Sequence, residues 1–295
     1  MTRSWTLALA CLIVFFGTSA VAAEALRLAH VPIAVRDLDT MASEFARLGF
    51  SIKGGRPHAN GIENRHVKFP DGTELELITA RTREDQLSGD YLDLLAQGEG
   101  PAFLALYVSA LDPLARWLDT KGIRHETDDG LLSIVRGQPL DDWFFAPLGD
   151  GVGLNRSPTD KPEHYRHANG ATSLSAVWMA ADDFNAERAL LRTLGARMDT
   201  QTIRAPKSMK APVAKLQRGQ IRFLPKHFQR VPGHRIVGVT LAVPDLAIVE
   251  RIMRSSDIRN PEVAYSPDRR SLVLPPGEHR LLWIEFSLPQ GAFSE

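Results

Sequence analysis

Leu28-Ala29-His30-Val31-Pro32-Ile33-Ala34-Val35 reads as a strand, and Asp37-Leu38 then opens a helical spacing of Leu38, Met41, Phe45 and Leu48 that stops at Gly49. Strand-like runs follow at Phe50-Ser51-Ile52 and Arg65-His66-Val67-Lys68-Phe69, and the turn Pro70-Asp71-Gly72 leads into Thr73-Glu74-Leu75-Glu76-Leu77-Ile78. The order is that of a βαβββ unit. Alternation sorts its faces: Val31, Ile33 and Val35 share one side of the first strand and His30, Pro32 and Ala34 the other, while Leu75 and Leu77 oppose Glu74 and Glu76. With both apolar rows packed under the helix, His30 and Glu76 emerge together on the concave side of the sheet. A His/Glu pair there suits acid–base work or polar contact with a ligand. A structurally satisfied His and a Glu facing water are the plainer readings.

The unit recurs. Ile236-Val237-Gly238-Val239-Thr240-Leu241-Ala242-Val243-Pro244-Asp245-Leu246 lies without a gap under Leu28 to Leu38, with the same alternation and the same Val-x-Asp-Leu ending. A second copy starts at Phe103 to Val108, continues through Leu111, Leu114 and Leu118, and stops at Gly122. The third starts at Ala176 to Ala180 and runs through Asp183-Phe184, Leu191 and Leu194 to Gly195. Closing strands are expected at Gly151 to Leu154, Gln220 to Leu224 and Leu281 to Phe286. Four units predict an α+β architecture of paired βαβββ modules forming two cups. The first cup takes residues 24–157 and the second 174–295; the linker 158–173 is turn-rich, with Pro158, Pro162, Asn169 and Gly170.

At 295 residues, 44% hydrophobic and 24% charged, the composition is that of a globular protein. Lys+Arg 35 balance Asp+Glu 35, so the overall charge favours neither nucleic acid nor an anionic membrane. The basic stretch Lys207 to Lys215 carries no interleaved aromatics and reads as a solvated hairpin loop. Trp178 reads as a buried strand aromatic. Arg3, the apolar run Leu7 to Phe16 and the small-x-small site Val21-Ala22-Ala23 read as a signal peptide over residues 1–23, predicting an exported, periplasmic or secreted chain with no membrane anchor after cleavage. Cys11, the single cysteine, falls in that segment, which leaves no thiol for disulfides, nucleophiles or thiolate metal sites. No Gly-x-Ser-x-Gly elbow, phosphate loop or His-Glu-x-x-His helix occurs, and His164, His167, His227, His234 and His279 are scattered, most of them expected at the surface or junction.

His30 in a strand ending Val-Arg-Asp-Leu, the segment His58-Ala59-Asn60-Gly61-Ile62-Glu63-Asn64-Arg65 and the closing Leu75-Glu76-Leu77 resemble the glyoxalase-like branch of the vicinal oxygen chelate superfamily. His167-Ala168-Asn169-Gly170-Ala171 before Leu174 resembles the start of the second half in the same relatives, so the resemblance spans the chain after the signal segment. It implies cup-shaped sheets and isomerase, lyase or dioxygenase-type ring-cleaving chemistry, or binding without catalysis. It also implies a divalent metal on a first-strand His and a closing-strand Glu. Carried onto this chain, His30 and Glu76 are the candidate catalytic residues and metal ligands, with His58 or His66 to complete the set. That set is short of the usual one, since Phe103, Ala176 and Gly238 stand where the other modules would place a His.

His58, Gly61, Asn64 and Arg65 are candidate ligand contacts. Glycine admits close backbone approach, Asn64 offers a donor and an acceptor, and Arg65 suits a carboxylate or phosphate. Turn geometry alone also accounts for such a loop. The expectation is an exported protein that binds a small polar or carboxylated organic molecule in the first cup, with the second cup as a shielding partner. Non-catalytic small-molecule binding and a periplasmic structural or interaction role are the alternatives; substrate, cofactor and oligomeric state stay open.

Overall fold

The computed structural model describes residues 26–56, 58–128, 130–148, 156–205, 207–255, 264–277 and 281–289; residues 1–23, read above as a signal peptide, and Gly151 to Leu154 lie outside them. The first half runs β1 (Arg27–Leu28), β2 (His30–Ala34), α1 (Leu38–Arg47), β3 (Lys53–Gly54), β4 (Ile62–Lys68), β5 (Glu74–Ala80), α2 (Gln86–Gln97), β6 (Gly100–Pro101), β7 (Leu104–Val108), α3 (Leu111–Thr120), β8 (His125–Asp128), β9 (Leu131–Ile134) and β10 (Trp143–Pro147). After a short 3-10 turn at Pro162–Tyr165 come β11 (Ser173–Ala181), α4 (Asn185–Thr193), β12 (Arg197–Ile203), β13 (Met209–Lys215) and β14 (Gln220–Pro225). The last module is β15 (Ile236–Ala242), α5 (Leu246–Ser255), β16 (Ala264–Tyr265), β17 (Ser271–Leu274) and β18 (Trp283–Ser287).

In every module the first strand pairs in parallel with the closing strand: β2 with β5, β7 with β10, β11 with β14 and β15 with β18. Modules then join through their first strands. In the second cup, β11 and β15 are antiparallel neighbours in one eight-stranded sheet. In the first cup the same seam is broken into two short ladders, β1 on β7 and β2 on β6, so two five-stranded sheets share it. Among the described residues the strand that closes the second module is the aromatic run Trp143-Phe144-Phe145, the expected Gly151 to Leu154 lying outside them, and β4 starts at Ile62, three residues earlier than its apolar pattern suggests. Phe50, Ser51 and Ile52 stay outside strands, while Lys210 and Lys215 belong to β13 rather than a loop.

The module helices α1, α3, α4 and α5 form where the spacing predicts. Asp37 caps α1 by accepting from the backbone N–H of Asp39 and Thr40, each at 3.0 Å, and Leu38, Met41 and Phe45 face inward. Gly49 then takes φ 85°, and Asn169 packs so close that a Cβ at Gly49 would lie 3.0 Å from its backbone nitrogen. The convex faces of both cups and the helices over them merge in one apolar core from Leu26 to Phe286, with Phe50 stacked on Phe286 at 6.1 Å across the halves. His167 and His234 are buried rather than superficial. His167 accepts from Ser51 N–H at 3.0 Å and reaches the Lys68 carbonyl at 2.9 Å, and His234 lies between the carbonyls of Pro101 and Leu94. Arg235 grips Asp142 and Glu187, tying β10 to the second cup. No described helix is long and apolar enough to cross a membrane.

Candidate functional site

The site grows from β2 and β5. Register sets His30 opposite Glu74 and Pro32 opposite Glu76. Yet His30 Nε2 stands 3.6 Å from Glu76 Oε2, because strand twist turns long side chains toward the diagonal neighbour. The same shift acts on β4. His66, opposite Glu76, places Nδ1 2.5 Å from Glu74 Oε1, and Asn64, opposite Ile78, donates from Nδ2 to Glu76 Oε1 at 2.7 Å. Asn64 cannot turn over freely: its Oδ1 accepts from Arg56 N–H at 3.2 Å, over Gly55, where a Cβ would lie 1.8 Å from that oxygen. Its amide therefore points N–H at Glu76 and, at 3.4 Å, at His58 Nε2. Burial, and next the charge of Arg56, lower the pKa of His58, so its ring is neutral near pH 7 and Nε2 is free to accept. His30, Glu76, Asn64 and His58 thus form one connected row.

This row forms part of the wall of a cavity of about 510 Å³ between the sheets of the first cup, a volume that suits a small organic ligand. The second module contributes Phe103 and Phe144, and rings meet edge to face in sequence: Tyr91 with Phe103 at 5.3 Å, Phe103 with Phe144 at 6.5 Å, Phe144 with His30 at 5.1 Å. The sequence reading missed α2. It is closed at its start by a reciprocal cap between Asp85 and Ser88, it buries Tyr91, Leu94 and Leu95, and it brings Asp85, Gln86, Leu87, Asp90 and Tyr91 to the cavity. Asp85-x-x-Ser88 followed by apolar residues at three- and four-residue spacing was the available signal. Arg136 and Asp141 arrive from the loop between β9 and β10, and Glu126 and Asp128 from β8.

The candidates from the sequence divide accordingly. His30, His58, Asn64 and Glu76 line the cavity. Gly61 does not: it turns the chain into β4 at φ 76°, with Thr82 Oγ1 2.3 Å from where its Cβ would be. Arg65 points to the other face, where its guanidinium binds the Asn64 carbonyl at 2.9 Å and Asp39 at 3.3 Å. His66 shares the concave face but belongs to a buried ionic group beyond the cavity. There Lys68 lies between Glu74 and Asp160, Lys53 binds Asp160 at 3.0 Å, and Tyr165 donates to Asp160 at 2.6 Å. Burial alone would raise the pKa of Asp160, but these hydrogen bonds and charges hold it well below the usual carboxylate range.

A divalent metal, the superfamily's usual tool, does not fit the residues present. Ala105 lies opposite Phe144 as Pro32 lies opposite Glu76, so the first cup's counterparts of His30 and Glu76 are Phe103 and Phe144, which have no donor atoms. Among the described residues no three His, Cys, Asp or Glu side chains gather closely enough to hold a metal ion. His66 is turned to Glu74, and His58 reaches Glu76 only through Asn64.

A two-cup fold of four βαβββ modules with this polar row in the first cup defines the vicinal oxygen chelate class. The chain belongs to its glyoxalase-like family: the model described as "Glyoxalase-like domain" matches residues 28–195, more than half of the sequence. No curated protein matches it. Among solved structures, a Staphylococcus aureus protein is similar over 90% of this chain and 100% of its own, with TM-score 0.55 and 12% identity. Catechol 2,3-dioxygenase is similar over 90% and 89%, with TM-score 0.57 and 14% identity. A variant of 4-hydroxymandelate synthase from Streptomyces coelicolor is similar over 92% and 94%, with TM-score 0.58 and 14% identity. At such identities the likeness is one of fold.

Proposed function

We propose that the first cup binds a small polar organic molecule and that His30 and Glu76 move a proton on it, as an isomerase or lyase of this superfamily would. The observation that carries this reading is the His30–Glu76–Asn64–His58 row on the wall of the 510 Å³ cavity. Glu76 would accept a proton from a carbon or oxygen of the bound molecule, a protonated His30 would give its own proton to another atom of it, and passage of the proton from Glu76 to His30 Nε2, 3.6 Å away, would reset the pair; Asn64 holds the carboxylate in place. Ring cleavage of the dioxygenase type would need a metal ligand set that these residues do not supply, so no step is drawn through a metal. One observation favours binding without catalysis: both oxygens of Glu76 already have protein neighbours, Asn64 and His30, which leaves less of the carboxylate open to a reacting atom. The variants His30→Ala and Glu76→Gln separate the two. Loss of turnover by about a hundredfold with affinity retained supports proton transfer; loss of affinity alone supports a binding protein; no change in either removes the row from both.

Export is proposed with it, on Arg3, the apolar run Leu7 to Phe16 and Val21-Ala22-Ala23. Boundaries of 24–157 and 174–295 for the two cups belong to the same proposal. Mass spectrometry of the protein recovered from its native cell should find an amino terminus near Glu24; an intact Met1 would contradict it.

A further inference from the structure

The whole chain is electrically balanced, yet the cavity of the first cup is not. Among the described residues six carboxylates line it, Glu76, Asp85, Asp90, Glu126, Asp128 and Asp141, against one guanidinium, that of Arg136. Several of the six are committed elsewhere. Asp85 caps α2 and binds Asn60, Glu76 is held by Asn64, and Asp141 accepts from Gly137 N–H. Asp90 is different. It is buried, the Gln86 amide reaches it at 2.8 Å, and its charged neighbour Arg136 stands at 3.7 Å and is shared with Asp141 at 3.6 Å. A carboxylate removed from water with half of one cation is short of compensating charge, and a positive group entering the cavity would supply it. Tyr91, next in the chain, begins the run of rings through Phe103 to Phe144, faces that attract a cation and stack on an apolar body. Two further wall residues, Trp143 and His30, have a buried nitrogen with no hydrogen-bond partner, Trp143 Nε1 and His30 Nδ1.

We propose that the ligand of the first cup is an organic cation, an amine on an aromatic or apolar body, with Asp90 as its counter-charge. The proposal rests on the first cup being the ligand site and replaces the carboxylated class expected from the sequence. A carboxylate would enter among six like charges with Arg136 already divided between Asp90 and Asp141. The exposed rim residues Glu126 and Asp128 on β8 would draw a cation to the mouth, an effect that salt screens.

Three probes of one shape test this: 3-phenylpropylamine, 3-phenylpropanol and 3-phenylpropanoate, titrated calorimetrically into the purified full chain and into Asp90→Asn. The amine should bind the parent at least about tenfold more tightly than the carboxylate, and Asp90→Asn should bring amine and alcohol to within about threefold. The variant should fold. Burial, the largest influence on Asp90, raises its pKa in the folded chain, and Asp93 and Asp141 raise it further, against Arg136 and Gln86, which lower it. A carboxyl with a raised folded pKa favours folding at low pH and loses that contribution as pH rises through the folded value, so at neutral pH the amide is no worse. Carboxylate binding as tight as the amine, or an amine preference that survives Asp90→Asn, overturns the assignment. If the alcohol still binds and Glu76→Gln weakens it, the site stands and only its charge class falls. Binding of none of the three removes both.

Discussion

In the first cup His30 and Glu76 face a cavity of about 510 Å³; in the second cup the same register positions are Gly238 and Glu285, and Trp178 covers the glycine. A Cβ on Gly238 would sit 2.6 Å from the Trp178 ring, so the indole occupies the space that a His30-like side chain would need. Glu285 is no open carboxylate either. It accepts from Arg222 at 2.6 Å and from Thr240 Oγ1 at 2.7 Å, Thr240 accepts from Trp178 Nε1 at 2.9 Å, and the Arg222 guanidinium lies 5.3 Å from the Trp178 ring centroid. Those four side chains bond to one another among the apolar residues of the second cup's concave face, with the Arg222 Nε left without a partner. In the first cup the row ends on a cavity wall. One register thus supports a self-contained polar core in one half and groups available to a ligand in the other.

The sharpest break of that comparison is a stability contrast. Arg222→Met should cost about 3–5 kcal/mol, because it leaves Glu285, 4% exposed, as an uncompensated buried charge. Glu76→Gln should stay within about 1 kcal/mol of the parent, since its side chain borders the cavity and an amide oxygen can still accept from Asn64. Chemical denaturation of the two variants measures both. Equal losses would mean that both cups are sealed cores and that the first is no more open than the second.

The repeat was legible because it is written in local signals: alternation in His30 to Val35 and Ile236 to Val243, helix faces at three- and four-residue spacing, and glycines at positive φ after three of the helices, Gly49, Gly122 and Gly195. The polar row was legible in part. Alternation put His30 and Glu76 on one face, but it does not carry distance. Twist moved each contact to a diagonal neighbour, giving Asn64 rather than His66 to Glu76. Gly61 and Arg65 were chosen from a loop motif, yet β4 begins at Ile62, and the alternation that turns Asn64 inward turns Arg65 out. The helix carrying Asp90 and Tyr91 had a signal in its Asp85-x-x-Ser88 cap, but that Asp90, Tyr91, Arg136 and Phe144 share one cavity was out of reach, because the walls meet only when two modules close a cup. The strand at Trp143-Phe144-Phe145 went unread for a similar cause: it is apolar on both faces and shows no alternation.

Which cup holds the ligand is the central question. A crystal of the full chain soaked in 3-phenylpropylamine would decide it directly. The expected result is the amine in the first cup, its ring against Phe103 and Phe144 and its nitrogen beside Asp90, with Trp178, Arg222 and Glu285 unmoved in the second. Density for the amine beside Trp178 and Arg222, with the space around His30 and Glu76 empty, would contradict it.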